Sequence, residues 1–323
     1  MFFVHIPKSG GTTFRVAALE SIGRSRVCGD YGSPSAHTSP VIQQHVYQHT
    51  QRNDTEFAEQ LSSACSLLTG HVPAKRYVQI VGLRRTAVIV RTPLDRLGSE
   101  YFHVYRKGYR ESLDTFISKR ITSKGGPFLN KFLYGDVIPV QAYGFVGITE
   151  RYAESLDMFN QLYGMSLKYG HENKAPANSP IAKEDLTQYR ADIDKDNQLY
   201  DTAVATFNER IRITSACKPY AHGAISLGNR DMIKGWAWWA HSDDTVQVVC
   251  SVNGKVFGEL EASDKHMLAE FGAPRAGYVG FQMTFNRTSD ADVIVCEVAK
   301  TGQVLGRVDV NGSIDEQVSK LHR

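Results

Sequence analysis

The first thirteen residues constrain the fold of this chain more than any other stretch. The apolar residues Phe2, Phe3, Val4 and Ile6 are strand formers, and two glycines, Gly10 and Gly11, follow them. The residues from Phe14 to Leu19 then predict a helix. A strand, a glycine turn and a helix in this order predict an α/β unit. Such a turn also predicts an anion site, because backbone N–H groups and the positive end of the helix dipole meet there and Lys8 adds a charge.

Short apolar runs alternate with helical patterns through the first two thirds of the chain. Thr86–Val90 is apolar throughout, as a parallel strand covered on both faces should be, and Gly144–Ile148 is a further strand candidate. Helices are predicted from Thr149 to Leu162 and from Asp196 to Ile211, where apolar residues recur at helical spacing. The alternation predicts an α/β fold of three layers, in which helices cover both faces of a parallel sheet.

The pattern changes at about Lys218. Residues alternate with the period of a strand in Val246–Val252, and Asn253-Gly254 then predicts a hairpin turn. Helical periodicity is nearly absent beyond this point, so we predict a separate all-β sandwich. The predicted domains are residues 1–217 for the α/β part, residues 218–313 for the β-sandwich and residues 314–323 for a tail.

The composition is that of an ordinary globular protein, with 42% hydrophobic and 22% charged residues. No apolar run approaches the ~20 residues of a membrane span, and no signal peptide precedes the first strand, so we expect a cytoplasmic protein without a transmembrane segment. The five cysteines include no C-x-x-C pair, so neither a metal site nor a dense disulfide framework is expected. Reduced thiols are the expectation, with a Cys250–Cys296 bridge as the alternative.

The turn after the first strand carries its lysine in an unusual place. In the Walker A order the lysine follows the glycines, whereas here Lys8 precedes Gly10 and Gly11. A second segment follows the clearest strand, and in it Arg91 stands eight residues before Ser99. An arginine offers a phosphate two parallel donors, and a serine adds a directional one. Together the two segments resemble the 5′-phosphosulfate loop and the 3′-phosphate site of sulfotransferases that use 3′-phosphoadenosine 5′-phosphosulfate (PAPS), especially the heparan sulfate 2-O-sulfotransferase-like branch.

The resemblance covers roughly residues 1–212 and implies a P-loop-type fold. It implies that a sulfuryl group passes from PAPS to a carbohydrate hydroxyl, leaving 3′-phosphoadenosine 5′-phosphate, with no metal required. It also implies that His71 is the base and that Lys8 stabilises charge on the leaving group. Among the acidic residues, Glu100 is the alternative base. The residues that it assigns to PAPS are Lys8, Ser9, Gly10, Gly11, Thr12, Thr13, Arg91 and Ser99.

A basic cluster bears on the acceptor. Nine basic residues and only two acidic ones lie between Lys75 and Arg110, and such a cluster suits a polyanion. We therefore expect an anionic glycan, while a neutral sugar stays open. Aromatic residues that could stack on bases are not obvious in this segment, so no nucleic-acid partner is expected. The residues predicted to line the acceptor groove are Arg84, Arg85, Arg106 and Lys107.

Two other functions stay open. One is a P-loop nucleotide kinase, which the turn after the first strand favours although the Walker A order is missing. The other is a non-catalytic glycan-binding protein, which would retain the same residues without turnover. The segment Trp236–Trp239 could stack on sugar rings, or its tryptophans could fill the core and edge of the predicted sandwich.

Overall fold

The computed structural model describes residues 1–48, 53–123, 128–170, 186, 188–189, 191–229, 231–286 and 292–309, and the predicted tail of residues 314–323 lies outside them. The chain divides into two compact units. The first consists of Met1–Val81, Arg85–Ile138 and Phe145–Tyr200, and the second of Gly82–Arg84, Pro139–Gly144 and Asp201–Arg323.

A five-stranded parallel sheet forms the centre of the first unit. Its strands are β1 (Phe2–Val4), β2 (Val27–Asp30), β3 (Leu67–Gly70), β4 (Thr86–Val90) and β5 (Phe145–Ile148), in the order β2-β3-β1-β4-β5. Every neighbouring pair is parallel. Four of the strands are buried along their whole length, which explains their continuous apolar sequences. The predicted α/β region with a parallel sheet is confirmed.

Helices pack against this sheet on both sides of β1. Phe3 stacks on Phe14 with ring centroids 3.7 Å apart, and Phe159 meets Phe14 edge-on. The side chain of Phe2 lies on the opposite face of the sheet from Phe3 and contacts Tyr77. The helices of the described ranges are α1 (Gly11–Ile22), α2 (Pro40–Ile42, continued by a π-helical segment Gln43–Gln48), α3 (Asp54–Ala64), α4 (Val78–Val81), α5 (Pro93–Arg106), α6 (Leu113–Ser123), α7 (Phe128–Leu133), α8 (Tyr152–Tyr163) and α9 (Asp194–Ser215). None of these helices is long and apolar enough to cross a lipid bilayer.

The second unit contains two antiparallel sheets of four strands. Its strands are β6 (Ala221–Asn229), β7 (Met232–Trp239), β8 (Gln247–Val252), β9 (Lys255–Glu261), β10 (Asp264–Lys265), β11 (Tyr278–Thr284), β12 (Val293–Val298) and β13 (Gln303–Asp309). The sheet orders are β10-β11-β7-β6 and β13-β12-β8-β9. Buried side chains from both sheets form one apolar core, so the predicted all-β character of this region is confirmed.

The second half of α9 belongs to this unit. Glu209 accepts a hydrogen bond from the N–H of Val304 at 3.3 Å, and Arg210 donates to the carbonyl of Gly144 at 2.8 Å. The sequence predicted a boundary at residue 217, where the periodicity changes. The two compact units divide within α9, after Tyr200 and before these contacts, and the domain boundary at residue 217 stays a prediction.

The three tryptophans are buried in the second unit. Trp236, Trp238 and Trp239 are 4%, 0% and 7% exposed. Trp238 lies between Trp236 and His222, with ring centroids 4.5 and 5.6 Å away. Faces that are covered in this way cannot receive a sugar ring, so the structure favours the packing interpretation of this segment.

Candidate functional site

The carboxyl ends of the five parallel strands meet at one edge of the sheet, here called the carboxyl edge. From β1 the chain continues to β2 on one side of the sheet, and from β4 it continues to β5 on the other side. The neighbouring ends of β1 and β4 are therefore the switch point of the sheet, and open α/β sheets bind ligands outside such a point. The residues that follow the strands here are Tyr31 after β2, His71 after β3, the turn His5–Gly10 after β1, Arg91 after β4 and Thr149 after β5.

The turn after β1 holds a tight backbone conformation. Lys8 has a φ of 69° and Gly10 a φ of 80°, both in the left-handed region. Gly10 is the N-cap of α1 and has no side chain with which to cap it. The first N–H groups of a helix have no intrahelical acceptor, so those of Gly11 and Thr12 are open to an anion at the turn.

The side chains around this turn explain its glycines. A Cβ on Gly11 would lie 2.1 Å from the ring of His5, and a Cβ on Gly10 would lie 3.1 Å from the ring of Tyr152. Ser9, between them and Lys8, is 1% exposed, and in the described part of the chain its hydroxyl has no hydrogen-bond partner. A buried polar group without a partner is costly, so this hydroxyl is a candidate contact for a ligand.

Lys8 is surrounded by other cations. The pKa of Lys8 is lowered, and burial is the largest cause. The charges of Arg91, Lys107 and Arg106 lower this pKa further, whereas the charge of Glu100 raises it. Among the residues that the structure describes, no acid lies within ion-pair distance of Lys8. Within the described ranges the half-buried ammonium group therefore lacks a counter-charge, which is the electrostatic condition for binding an anion.

Arg91 joins the end of β4 to the turn after β1. Its Nη1 donates a hydrogen bond to the carbonyl of Lys8 at 3.2 Å. The next residue, Thr92, precedes α5, and its backbone N–H donates to Glu150 at 2.9 Å while its hydroxyl donates to Asp95 at 2.8 Å. The two cations assigned to the phosphates thus lie side by side at the switch point.

Ser99 lies further along α5 and is half-buried. No hydrogen bond joins its side chain to Arg91 or to any other described residue. The structure therefore brings Arg91 to Lys8 and leaves the predicted partnership of Arg91 and Ser99 as a prediction.

Glu100 is occupied by two arginines. Its carboxylate accepts from Arg96 at 2.9 Å and from Arg120 at 2.6 Å, and the residue is 9% exposed. A base must have a free oxygen to receive a proton. Because both carboxylate oxygens form ion pairs, the geometry favours His71 over Glu100 as the base.

His71 stands at the carboxyl edge in a group of rings. Its ring centroid is 4.2 Å from that of His5 and 4.9 Å from that of Tyr31. Although the residue is partly open to solvent, burial of the ring lowers the pKa of His71, and the charge of Arg15 lowers it further. The imidazole is therefore neutral at pH 7 and able to accept a proton.

His5 is the buried neighbour that fixes this group. It is 3% exposed, and its Nδ1 forms a hydrogen bond of 3.0 Å with the hydroxyl of Tyr31. Burial first, and then the charges of His71 and Arg15, lower the pKa of His5 to about 3. His5 therefore stays neutral at physiological pH and packs between the turn and His71.

Sequence reasoning missed Arg15 and His103. The guanidinium carbon of Arg15 lies 5.3 Å from the ring centroid of Tyr31, which contacts His5 and His71. The pKa of His103 is lowered, mainly by partial burial and further by the charges of Lys8, Lys107 and Arg106. Helical spacing could have found His103, because Ser99, His103 and Arg106 follow each other at i, i+4 and i+7 and share one face of α5.

The four arginines and lysines predicted for an acceptor groove separate in the structure. Arg106 and Lys107 lie close enough to Lys8 to lower its pKa. Arg85 immediately precedes β4 and lines a cavity of about 410 Å³ at the opposite, amino edge of the sheet, together with Met1. Arg84 belongs to the second unit, where it donates to Asp243 at 2.8 Å and to the carbonyls of Trp239 and Ser242 at 3.1 and 2.8 Å.

Comparison of the chain with protein-family models, with curated proteins and with solved structures finds no match. Within the described ranges, no group of three or more His, Cys, Asp or Glu side chains could hold a metal ion. Inferences about function therefore depend on the geometry of the carboxyl edge.

Proposed function

We propose that the chain is a sulfotransferase that moves a sulfuryl group from PAPS to a hydroxyl group of a carbohydrate. The observation that carries the proposal is the junction of two cationic elements at the switch point, where Arg91 donates to the carbonyl of Lys8 at 3.2 Å. They are accompanied by a helix N-terminus without a side-chain cap and by the buried hydroxyl of Ser9, which has no hydrogen-bond partner among the described residues. Such a donor set suits a ligand with several anionic groups.

The residues present fit the two ends of PAPS. The turn from Lys8 to Thr13 would hold the 5′-phosphosulfate, because it combines open backbone N–H groups, hydroxyls and an ammonium group that has no counter-charge among the described residues. Arg91 and Ser99 would hold the 3′-phosphate. The turn would then be a P-loop-type phosphate-binding loop. The second unit, a β-sandwich, would have an accessory role.

PAPS supplies an activated sulfuryl group whose leaving group is a phosphate. His71 would receive the proton of the acceptor hydroxyl, since its lowered pKa keeps the ring neutral at pH 7. Lys8 would stabilise negative charge on the leaving oxygen, an interaction that strengthens as the charge grows. His5 and Tyr31 would orient His71 through the packing of their rings.

An acidic carbohydrate is the proposed acceptor. Arg106 and Lys107 add positive charge at the end of α5 beside Lys8, and Arg15 adds one beside His71. More cations than two phosphate groups require therefore surround the site, and the excess would attract carboxylate or sulfate groups of a glycan.

Binding of nucleotides to the purified chain tests the proposal against the kinase alternative. We expect 3′-phosphoadenosine 5′-phosphate to bind more tightly than ADP by at least about tenfold, because only the former carries a 3′-phosphate for Arg91. The matched variant Arg91→Ala should remove this preference and leave the affinity for ADP nearly unchanged. A preference for ATP with magnesium would refute the sulfotransferase assignment, and binding of glycan without any of these nucleotides would favour the non-catalytic alternative.

A further inference from the structure

Two cysteines of the second unit lie opposite each other on neighbouring strands. Cys250 of β8 and Cys296 of β12 are paired in register, and their Sγ atoms are 3.0 Å apart. β8 and β12 are the two inner strands of the sheet β13-β12-β8-β9. Both cysteines are 0% exposed, and both belong to the core that the two antiparallel sheets share.

The row of residues across this sheet directs the two sulfur atoms toward each other. From β13 to β9 the row is Gly306, Cys296, Cys250 and Gly258. Side chains of the other sheet fill the space beside the cysteines: a Cβ on Gly258 would lie 2.5 Å from the sulfur of Met283, and a Cβ on Gly306 would lie 2.5 Å from Cγ1 of Ile225. The outer sides of the pair are therefore occupied, and each thiol has room mainly on the side of its partner.

We propose that Cys250 and Cys296 form a structural disulfide bond when the chain folds in contact with an oxidising thiol–disulfide couple. The inference is independent of the proposed sulfotransferase activity. Residues opposite each other in an antiparallel pair have Cα atoms about 4.5 or 5.5 Å apart, and both distances fall within the range of about 4.4–6.8 Å found for disulfides. The sulfur atoms need to approach by about 1 Å to reach bonding distance.

Glutathione disulfide, or another small disulfide, is the oxidant. The thiolate of one of the two cysteines attacks it, forms a mixed disulfide and releases one glutathione; the sulfur of the other cysteine then displaces the second glutathione. The two cysteines lose two protons and two electrons, and the glutathione disulfide takes them up and becomes two molecules of reduced glutathione.

The bond would tie together the two inner strands of the sheet. The cysteines are 46 positions apart, so the bond closes a long loop and restricts the unfolded chain. Because both thiols are fully buried, the exchange requires the second unit to be open, during folding or during slow unfolding. The stability of this unit would then depend on the redox conditions in which the chain folds.

Peptide mapping of refolded protein tests the proposal. The full chain is unfolded, refolded in a glutathione buffer or in dithiothreitol, treated with an alkylating agent in denaturant, digested and analysed by mass spectrometry. We expect peptides that contain Cys250 and Cys296 to be linked after refolding in glutathione and alkylated after refolding in dithiothreitol. The matched variant Cys217→Ala, which removes an exposed thiol, should keep the link, and Cys250→Ala should abolish it.

Thermal unfolding provides the second readout. The oxidised wild type should melt about 10 °C above the reduced one, and Cys250→Ala should show no such difference. Alkylation of both cysteines after equilibration with excess glutathione disulfide would overturn the proposal, as would a link between Cys28 and Cys65 while Cys250 and Cys296 stay free. The peptide map of the wild type decides the question even if Cys250→Ala does not fold.

Discussion

Replacing Gly11 with alanine tests how tightly the turn after β1 is packed. Gly11 lies in the first turn of α1, where alanine is favoured over glycine by up to about 1 kcal/mol, so helix propensity alone predicts stabilisation. The packing predicts the opposite result. A Cβ at this position would lie 2.1 Å from Cδ2 and 2.5 Å from Nε2 of His5, well inside van der Waals contact.

His5 has little freedom to move away from this Cβ. It is 3% exposed, forms a hydrogen bond of 3.0 Å with Tyr31 and packs against His71 at 4.2 Å. Overpacking costs about 1–3 kcal/mol, and loss of a buried hydrogen bond adds about 1 kcal/mol. After the gain in helix propensity is subtracted, Gly11→Ala should lower the free energy of unfolding of the first unit by about 1–3 kcal/mol.

Hydrogen exchange in peptides of β1 and α1 measures this loss, because all three tryptophans lie in the second unit and their fluorescence does not report on the first. Gly23→Ala is the matched control: its φ of 87° strains an alanine, yet nothing lies within 4 Å of the added Cβ. In a His5→Ala background the cost of Gly11→Ala should disappear, whereas that of Gly23→Ala should persist. Stabilisation of α1 by Gly11→Ala, or a cost that the His5→Ala background leaves unchanged, would refute the reasoning.

The remaining predictions concern pH, nucleotide binding and turnover. The fold lowers the pKa of His5 from 6.5 to about 3. Between pH 3 and pH 6.5 the unfolded chain therefore binds a proton at His5 that the folded chain does not. The free energy of unfolding should rise with pH in this range by up to about 1.4 kcal/mol per pH unit. Urea unfolding at several pH values should show this slope, and His5→Gln should remove it. Calorimetry should show that Arg91→Ala weakens binding of 3′-phosphoadenosine 5′-phosphate by about 2–4 kcal/mol and Ser99→Ala by about 1 kcal/mol; equal affinities would contradict the 3′-phosphate assignment. His71→Ala should keep this affinity and lower turnover by about 10²–10⁴-fold. Because the pKa of His71 is lowered, wild-type activity should rise with pH below 6.5 and level off by pH 7. Arg15→Gln should move that rise to higher pH, because it removes a charge that lowers the pKa of His71. An unchanged pH profile in Arg15→Gln would contradict this effect of Arg15 on His71.

The strands β1, β4 and β5 could be predicted from local sequence, because buried parallel strands are apolar along their whole length. β2 (Val27–Asp30) was not predicted, because Gly29 and Asp30 interrupt its apolar sequence. Thr86–Val90 is an example in which prediction and structure coincide. The order of the strands could not be predicted in this way. The hydrogen bond from Arg91 to the carbonyl of Lys8 exists because β4 lies beside β1, and that neighbourhood depends on crossovers that no local pattern encodes.

The basic cluster shows a different limit of the sequence. A count of charges treats Arg85 and Arg91 alike, although one precedes β4 and the other follows it. In a parallel sheet the two ends of a strand lie at opposite edges, so Arg85 lies at the amino edge and Arg91 at the carboxyl edge. The burial of Trp238 could not be predicted from the sequence either, because the position of the second sheet decides which face of the strand is covered.

Incubation of the purified chain with PAPS carrying a radioactive sulfate tests the central proposal most directly. With an acidic polysaccharide as acceptor, we predict transfer of the label to the carbohydrate, with one 3′-phosphoadenosine 5′-phosphate formed for each sulfate transferred. Lys8→Ala should lower the rate by about 10²–10³-fold, since it removes the charge that would stabilise the leaving group. The contradicting result is a chain that leaves PAPS intact with acidic and neutral carbohydrates alike while it transfers the γ-phosphate of ATP.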